Sequence, residues 1–275
     1  MSSTLVITDV AQWRELRHSN TWKARSVGFV PTMGALHAGH ASLLERARAE
    51  NERVVLSVFV NPTQFNDPTD LAKYPRTLDA DVELARPFVD AVISPAPEAL
   101  YPDQYRYRVT ENDLSTKWEG AHRPGHFDGV LTVVLKLFNL VEPTRAYFGE
   151  KDWQQLQLVR GMVEALLLPV KVVPCQIVRE QDGLAMSSRN RRLSPAARAK
   201  APEFSRALRE APSAAAAADR LRAAGFEVDY VDDAQGVRMG AVHLGGVRLI
   251  DNVALPEAGG RKHEAGSRRA DPAGK

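Results

Sequence analysis

Apolar runs of strand length alternate with stretches of helical spacing over the first 185 residues. A strand covered on both faces is continuously apolar, whereas a surface helix has apolar residues every three or four positions. The alternation of these patterns predicts an α/β protein in which strands pair in parallel and helices cover the sheet. The predicted strands comprise residues 27–30, 54–60, 89–94, 146–148 and 171–178.

Helices are predicted before and between these strands. Asp9 is a suitable N-cap for a helix that runs to about Ser19, and we expect this helix to precede the first strand. The other predicted helices lie around residues 40–50, 78–88, 129–141 and 156–163.

The first predicted strand leads directly into the segment PTMGALHAGH. Pro31 lacks an amide proton, so we expect the strand to end there and a turn to follow. His40 then falls in the first turn of a helix, where free backbone N–H groups and the helix dipole attract anions. Gly34 and Gly39 leave room for a phosphate, and the imidazoles of His37 and His40 add hydrogen-bond donors. The segment therefore predicts a phosphate site, although the same histidines also suit a simple loop and helix cap.

Two pairs of histidines raise the question of zinc. No cysteine or third histidine lies close to His37 and His40 in the sequence, so zinc is the weaker interpretation there. His122 and His126 stand four residues apart, which would suit a shared metal on one helix. The proline and glycine between them predict a turn instead.

Further polar segments follow strands at their carboxyl ends, where open parallel sheets bind ligands. The segment 61–66 follows the second strand and offers Gln64 as a pocket residue. Residues 149–152 (GEKD) follow the fourth strand and repeat the strand-to-helix geometry. The polar loop at 186–190 follows the fifth, although a solvated turn would look the same.

The composition changes after Leu193. Thirteen of the 32 residues from 194 to 225 are alanine, which predicts small, closely packed helices, and residues 226–231 and 247–250 alternate like strands. We expect a small α+β domain there. From Pro256 onward the only aliphatic residue is alanine, so we predict a disordered tail over residues 256–275.

Charge and cysteine content narrow the classes of function. The net charge of +2 comes from the last 20 residues, which carry five Lys/Arg against three Asp/Glu, so it gives no indication of nucleic-acid binding. Cys175 is the only cysteine, which excludes an internal disulfide. The sequence shows neither a signal peptide nor an apolar run near the ~20 residues of a membrane span. We expect a cytoplasmic protein that does not bind a membrane.

Six segments, in the order in which they occur, together resemble a known protein family, whereas one motif alone would be weak evidence. They are PTMGALHAGH, FVNPTQF, YPRTLDAD, RPGHFDGV, YFGEKDWQQL and REQDGLAMSSRN, and over about residues 1–210 the chain resembles the pantothenate synthetases, the pantoate-beta-alanine ligase family. The resemblance implies a Rossmann-like catalytic domain at 1–185, a smaller C-terminal lid domain at 186–255, and a homodimer. It further implies that (R)-pantoate is joined to beta-alanine with ATP and Mg²⁺ through a pantoyl adenylate, which releases AMP and diphosphate in coenzyme A biosynthesis.

The resemblance also implies roles for individual residues. Gln64 and Gln155 hold pantoate, Asn61 and Phe65 belong to the same substrate site, and Asp81 lies in the Mg²⁺-associated region. The catalytic set is His37, His40, Lys151, Ser187, Ser188 and Arg189. The ATP site comprises Pro31, Thr32, Met33, Gly34, Ala35, Leu36, His37, Ala38, Gly39, His40, Gly149, Glu150, Lys151, Asp152, Val178, Met186, Ser187, Ser188 and Arg189.

The chemistry of adenylation accounts for these residue types. The carboxylate of pantoate is already a nucleophile near neutral pH, so the obstacle is the meeting of two anions, which positive charge and hydrogen-bond donors relieve. Three other interpretations stay open: another HxGH nucleotidyltransferase, a non-catalytic nucleotide-binding regulator, and a fragment of a tRNA synthetase. Gln64 and Gln155 favour a small hydroxy acid over the first, and no basic stripe supports the last.

One region departs from the family pattern. Between Tyr230 and Arg248 the chain looks shorter than typical members, which predicts incomplete closure and loss of some adenylate to water. Because adenylation would rest on the N-terminal segments, we expect the second step to be affected more than the first.

Overall fold

A parallel sheet of six strands forms the N-terminal part of the protein. The computed structural model describes residues 4–256, so the predicted tail, apart from Pro256, lies outside the described residues. The strand order is β1-β4-β3-β2-β5-β6, and every pairing is parallel, as predicted. The strands are β1 (Leu5–Ile7), β2 (Val27–Thr32), β3 (Arg53–Val58), β4 (Ala91–Ile93), β5 (Arg145–Gly149) and β6 (Lys171–Cys175).

Helices cover both faces of this sheet, which confirms the predicted class. They are α1 (Val10–His18), α2 (Ala38–Glu50), α3 (Pro68–Lys73), α4 (Leu78–Ala85), α5 (Pro97–Leu100), α6 (Glu119–His122), α7 (His126–Val141) and α8 (Trp153–Ala165). One hydrophobic core, which contains Phe29 and Val55, lies between the sheet and α1, α7 and α8. The other contains Val30 and Leu56 and lies under α2 and α4. Within residues 4–256, no helix combines the length and apolarity needed to cross a membrane.

The first strand along the chain is one that sequence reasoning missed. Asp9 caps α1 as predicted, and its carboxylate accepts the N–H groups of Ala11 and Gln12. However, β1 precedes this helix and pairs with β4 at the edge of the sheet. The strand has three residues, and Leu5 and Val6 are exposed, so it lacks the buried apolar run that identified the others.

The expectation that β2 ends at Pro31 is wrong. The strand continues to Thr32, and Pro31 lies opposite Ser57 of β3. The carbonyl of Thr32 accepts from the N–H of Phe59 and therefore faces β3. Backbone groups of successive residues in a strand face opposite sides, so those of Pro31 face β5. Pairing with β5 ends at Phe29, and the missing N–H of Pro31 therefore interrupts no hydrogen bond.

A separate antiparallel sheet forms the C-terminal part. The alanine-rich segment folds as predicted into helices, and the sheet has three strands where the sequence indicated two. The strand that was missed, VRMGAVHL, is buried along most of its length, but Arg238, Gly240 and His243 interrupt the apolar run that would have identified it. These elements have their own hydrophobic core, while the domain boundary after residue 185 stays a prediction. They are α9 (Pro195–Lys200), α10 (Pro202–Glu210), α11 (Ala214–Ala223), β7 (Glu227–Ala234), β8 (Val237–Leu244) and β9 (Val247–Ala254).

Candidate active site

The strand order of the parallel sheet fixes where a ligand can bind. From β2 the chain moves outward through β3 and β4, then returns to β5 on the opposite side of β2. Such a reversal opens a crevice at the carboxyl ends of the two central strands. Residues 33–40, the HAGH turn, follow β2, and residues 149–152, the β5 turn, follow β5. The two predicted ATP segments therefore meet at this crevice.

Both histidines of the HAGH turn are fixed by backbone hydrogen bonds at the start of α2. His37 is the N-cap, and its Nδ1 accepts from the N–H of Gly39 at 3.1 Å. The N–H of His37 donates to Nδ1 of His40 at 3.3 Å, and the ring centroids lie 4.1 Å apart. Because each Nδ1 is an acceptor, each neutral ring carries its proton on Nε2. The histidines thus cap the helix and still present one N–H donor each.

The surroundings keep these rings uncharged in the ligand-free protein. Burial, with Lys151 and Arg191 nearby, lowers the pKa of His37 to about 4. Burial, His37 and Lys151 lower the pKa of His40 to about 3. At neutral pH the histidines therefore offer hydrogen-bond donors and no positive charge, and the positive charge of Lys151 is near enough to lower the pKa of both.

Asp81 holds the HAGH turn in place. Its Oδ1 accepts from the N–H of Leu36 at 2.7 Å, and its Oδ2 accepts from the N–H of Ala35 and the hydroxyl of Thr77, each at 3.1 Å. Gly34 has a φ of +82°, and a Cβ there would lie 2.9 Å from Oδ2, so only glycine suits this position. Asp81 is 2% exposed, and its two oxygens are already hydrogen-bonded.

This geometry bears on the predicted Mg²⁺ role of Asp81. A hard cation needs a carboxylate oxygen with a free lone pair directed at it, and the oxygens of Asp81 are directed at backbone N–H groups. Within residues 4–256, no group of three or more His, Cys, Asp or Glu side chains is arranged to hold a metal. Asp81 fits a positioning role better than direct coordination, and its assignment to Mg²⁺ stays a prediction.

The side chain of Gln64 is oriented by two neighbours. Asn61 is 1% exposed, and its Nδ2 donates to Oε1 of Gln64 and to the carbonyl of Gly129, each at 3.1 Å. The Oδ1 of Asn61 accepts from the hydroxyl of Tyr101 at 2.8 Å. Nε2 of Gln64 lies 3.0 Å from Sδ of Met33, which joins it to the HAGH turn. Asn61 thus contacts Gln64 rather than the open crevice.

Arg123 and His126 hold the backbone of Gln64, a role that sequence reasoning missed. Nη2 of Arg123 donates to the carbonyl of Gln64 at 3.1 Å, and Nδ1 of His126 lies 2.9 Å from the same oxygen. Nε2 of His126 lies 3.2 Å from Arg123, which can only donate, so the imidazole proton is on Nδ1. Burial and Arg123 lower the pKa of His126 to about 4. The only sequence signal for this role was the RPGHFDGV segment. The turn predicted there is confirmed, because His122 is the last residue of α6 and His126 is the first residue of α7.

The loop at 186–189 reaches the HAGH turn from the C-terminal side. The N–H of Met186 donates to the carbonyl of Val178 at 2.9 Å, and Sδ of Met186 lies 3.3 Å from the N–H of Gly39. Ser187 caps a short 3₁₀ turn by accepting from the N–H of Arg189, whose guanidinium lies 3.7 Å from Asp70. These contacts bring the predicted ATP segments together.

A cavity of about 420 Å³ separates the two sheets beside this crevice. It brings together several of the predicted residues, while within residues 4–256 the HAGH turn and Gln64 do not line it. The predicted residues in its wall are Phe65, Lys151, Asp152, Gln155 and Arg189, and the C-terminal sheet adds Asp229, Tyr230, Met239, His243, Arg248 and Asn252.

A buried ion-pair network closes one end of the cavity. Glu119 of α6 is 7% exposed, and both of its oxygens lie 2.7 Å from Nη1 of Arg248 on β9. It also accepts from Arg123 at 2.9 Å. Although burial raises the pKa of Glu119, Arg248 and Arg123 outweigh this effect and hold it at about 2. The network connects the C-terminal sheet to the arginine that contacts Gln64.

Comparison with known proteins places this arrangement in a family. Residues 5–254 match the family described as Pantoate-beta-alanine ligase. A pantothenate synthetase of Bdellovibrio bacteriovorus is 59% identical over 231 residues, which cover 84% of this chain and 92% of that protein. A pantothenate synthetase of Legionella pneumophila (strain Lens) is 51% identical over 251 residues, 91% of this chain and 99% of that protein.

Solved structures resemble the chain over almost its whole length. Pantothenate synthetase from Thermus thermophilus has a TM-score of 0.83 and 46% identity, with 92% of this chain and 100% of that chain covered. Pantoate-beta-alanine ligase from Francisella tularensis, complexed with beta-gamma ATP and beta-alanine, has a TM-score of 0.87 and 37% identity, with 92% and 98% covered. Both have the fold described above.

Proposed function

The chain belongs to the pantoate-beta-alanine ligase family, and from this premise we propose how its residues divide the reaction into two steps. The enzyme is an ATP-dependent ligase that condenses (R)-pantoate with beta-alanine to pantothenate and releases AMP and diphosphate. This activity excludes the other interpretations of the sequence, among them a non-catalytic regulator. One observation carries the residue assignments: the HAGH turn and the β5 turn meet at the crevice between β2 and β5.

In the first step, the carboxylate of pantoate attacks the α-phosphorus of ATP and diphosphate leaves. Lys151 supplies positive charge, and the Nε2–H groups of His37 and His40 supply donors to the phosphate oxygens. The free N–H groups at the start of α2 add to this field. Ser187, Ser188 and Arg189 approach from the opposite side and hold the departing diphosphate. Fixed donors stabilise the developing charge without reorganisation, so no covalent enzyme intermediate is needed.

Pantoate is held by Gln64 and Gln155 on the floor of the crevice. The amide of Gln64 is oriented by Asn61, and its backbone carbonyl is held by Arg123 and His126. Gln155 lies one turn into α8, directly after the β5 turn, and faces the cavity. Asn61 therefore acts through Gln64, while Phe65 forms an apolar wall beside it.

In the second step, the amine of beta-alanine attacks the acyl carbon of the pantoyl adenylate and AMP leaves. The amine reacts as the neutral base and loses a proton when the amide forms. Water competes for the same carbon, so the reaction needs a site from which water is excluded. The cavity between the sheets, walled by Tyr230 and His243 of the C-terminal sheet, is where beta-alanine approaches.

We propose that Mg²⁺ enters the site bound to ATP and is not held by a separate set of protein ligands. The cation prefers phosphate oxygens and water and takes few protein ligands in nucleotide sites. The chemistry it supplies when bound is neutralisation of phosphate charge. Asp152 and Glu150 of the β5 turn are the carboxylates beside the proposed phosphate position, whereas Asp81 is occupied by the HAGH turn.

The homodimer is proposed on the resemblance and on one apolar surface. Leu167 is 88% exposed and directly follows Leu166. Leu166 lines a groove of about 230 Å³ together with Leu114 and Met162. Exposed apolar side chains grouped in this way are typical of a protein interface, and light scattering of the purified chain measures the mass directly. A cytoplasmic site of action stays a prediction from the sequence.

Isotope exchange between diphosphate and ATP tests the proposed division of the reaction into two steps. We expect labelled diphosphate to enter ATP when pantoate is present and beta-alanine is absent, because adenylation is complete before the amine is needed. Pantothenate should form only with all three substrates. Exchange that requires an amino acid and ignores pantoate would overturn the proposal.

A further inference from the structure

The amide of Asn252 on β9 donates to two carbonyls of the β5 turn. Its Nδ2 lies 2.8 Å from the oxygen of Glu150 and 3.0 Å from the oxygen of Lys151. The residue is 5% exposed. Both partners are acceptors, so the NH₂ group, with its two hydrogens, is the only end of the amide that fits. The C-terminal sheet therefore holds the two peptide groups that flank the α-carbon of Lys151.

Asn252 is itself held by a buried ion pair. The carboxylate of Asp251, whose side chain is fully buried, binds the guanidinium of Arg179 at 2.7 and 3.1 Å and accepts from Ser205 at 2.6 Å. Arg179 also donates to the carbonyl of Asn252 at 3.0 Å, and the N–H of Asn252 bonds to Asp251 at 2.8 Å. Both backbone groups of Asn252 are thus fixed by the same pair.

The β5 turn has few other restraints. The 3₁₀ turn at Glu150–Asp152 and the following helix α8 both begin without a side-chain cap. Gly149 is the last residue of β5 and pairs with Cys175, so the sheet fixes the start of the turn but not the uncapped residues that follow. The two hydrogen bonds from Asn252 therefore set the backbone from which the side chain of Lys151 projects. Arg179 directly follows Val178, so the same cluster also joins this turn to another residue of the predicted ATP site.

We propose that Asn252 is a positioning residue for adenylation, which acts by fixing the β5 turn so that Lys151 meets the phosphates of ATP. The proposal rests on the role assigned to Lys151 above. It makes the first step depend on the C-terminal sheet, whereas the sequence had indicated that this sheet serves mainly the second step.

Substitution of Asn252 by aspartate and by alanine tests this role. Aspartate keeps the size and removes both donors, and alanine removes the amide without adding charge. We expect either variant to lower kcat/KM for ATP in pantoate-dependent diphosphate exchange by about 10- to 100-fold, the usual effect of a small misplacement of a catalytic group. The KM for pantoate should change much less, because Gln64 and Gln155 do not contact Asn252.

Arg238→Met serves as the matched control. Arg238 lies in the same sheet, is 3% exposed, and donates to the carbonyls of Leu208 and Ala211, but its partners are all C-terminal. Loss of the Arg238 guanidinium should lower the melting temperature. The rate of diphosphate exchange per folded molecule should stay within about twofold of the rate of the parent protein.

A double-mutant cycle with Lys151→Ala separates positioning from simple destabilisation. If Asn252 acts through Lys151, Asn252→Ala should change exchange by less than about twofold once Lys151 is absent. A variant that only unfolds part of the chain would lose the same factor in both backgrounds, and that additivity would overturn the proposal. The proposal would also be overturned if Asn252→Asp and Asn252→Ala both exchanged diphosphate at the rate of the parent protein. Failure of the parent to show pantoate-dependent exchange would instead contradict the proposed adenylation step.

Discussion

In the proposed site, Lys151 binds phosphate as a cation, whereas His37 and His40 first bind it as neutral hydrogen-bond donors. Burial and the positive charge of Lys151 keep both rings neutral before ATP arrives. The negative phosphates raise the pKa of any histidine they contact, since they favour its charged form. The histidines therefore gain affinity for a proton as ATP binds, while Lys151 supplies charge from the start.

The role of Asp81 leads to a prediction that separates positioning from metal binding. In Asp81→Asn, one carboxylate oxygen becomes an NH₂ group that faces the N–H donors of the HAGH turn, so the turn should be displaced. We expect diphosphate exchange at saturating Mg²⁺ to fall by about 10- to 100-fold, while the Mg²⁺ concentration for half-maximal rate stays unchanged. Exchange rates measured over a Mg²⁺ titration check this.

Asp79→Asn is the matched control for that experiment. Asp79 lies in the first turn of the same helix α4 and is exposed, so its substitution changes the charge equally without touching the HAGH turn. It should retain the parent rate. If Asp81→Asn instead shifts the Mg²⁺ requirement about tenfold and recovers the full rate at high Mg²⁺, Asp81 is a metal ligand after all.

The structural setting of a residue was predictable where it depends on neighbours in the sequence. It was not predictable where the residue contacts partners far away along the chain. His37, His40 and Lys151 follow strands and precede helices, so their setting could be read from a short segment. Asn252 contacts a turn 102 residues earlier, and Arg248 contacts Glu119 from 129 residues away. No local pattern distinguishes an asparagine at the end of such a strand from any polar residue on a sheet.

At the scale of elements, α6 and β9 are joined by the ion pair between Glu119 and Arg248. Glu119 has a pKa of about 2 in the folded protein against an ordinary value of 4.5. A carboxylate whose pKa is lowered by folding stabilises the protein above its unfolded pKa, and this contribution is lost as the pH falls from about 4.5 towards 2.

Glu119→Gln should therefore destabilise the protein at neutral pH. We expect a loss of roughly 3 kcal/mol at pH 7, the order expected for breaking a buried ion pair. The difference between parent and variant should shrink as the pH falls below about 4.5, because Glu119 then becomes protonated in the unfolded parent. Urea denaturation followed by tryptophan fluorescence at several pH values measures this dependence.

The exposed pair of Arg86 and Glu83 offers the comparison for this variant. Both side chains are more than half exposed, so Glu83→Gln should leave the denaturation midpoint unchanged within error. Equal effects of the two substitutions, or a Glu119→Gln effect that does not vary with pH, would show that charge at position 119 contributes little.

The elements that were predictable carry a local pattern, which is a buried apolar run, an alternation or a helical repeat of ordinary length. The edge strand β1 has only three residues and β8 contains Arg238 and Gly240 among its buried positions, so neither carries a clear pattern. The extension of β2 through Pro31 depends on where pairing with β5 ends, which is a property of the sheet and not of the strand. Pairing between strands thus set boundaries of strands that the local sequence pattern could not predict.

At the scale of the molecule, the C-terminal sheet contacts the N-terminal part of the protein at several points around the cavity. Asn252 reaches the β5 turn, and Arg248 reaches Glu119 of α6. Trp118 adds a third contact, since its Nε1 donates to Asp232 at 2.7 Å. The presence of a second α+β unit was predictable from composition, but these contacts depend on how the two sheets pack.

The ratio of AMP to pantothenate formed at limiting beta-alanine tests how well this packing protects the adenylate. The short segment between Tyr230 and Arg248 predicts incomplete exclusion of water, so we expect a ratio above one that falls towards one as beta-alanine saturates. Trp118→Phe keeps an aromatic ring against Trp153 but removes the hydrogen bond to Asp232, and it should raise the ratio without slowing diphosphate exchange. Quantifying both products by chromatography gives the ratio directly. A parent ratio indistinguishable from one would mean that the C-terminal sheet closes fully despite its short connection, and water exclusion would then have to come from the bound substrates themselves.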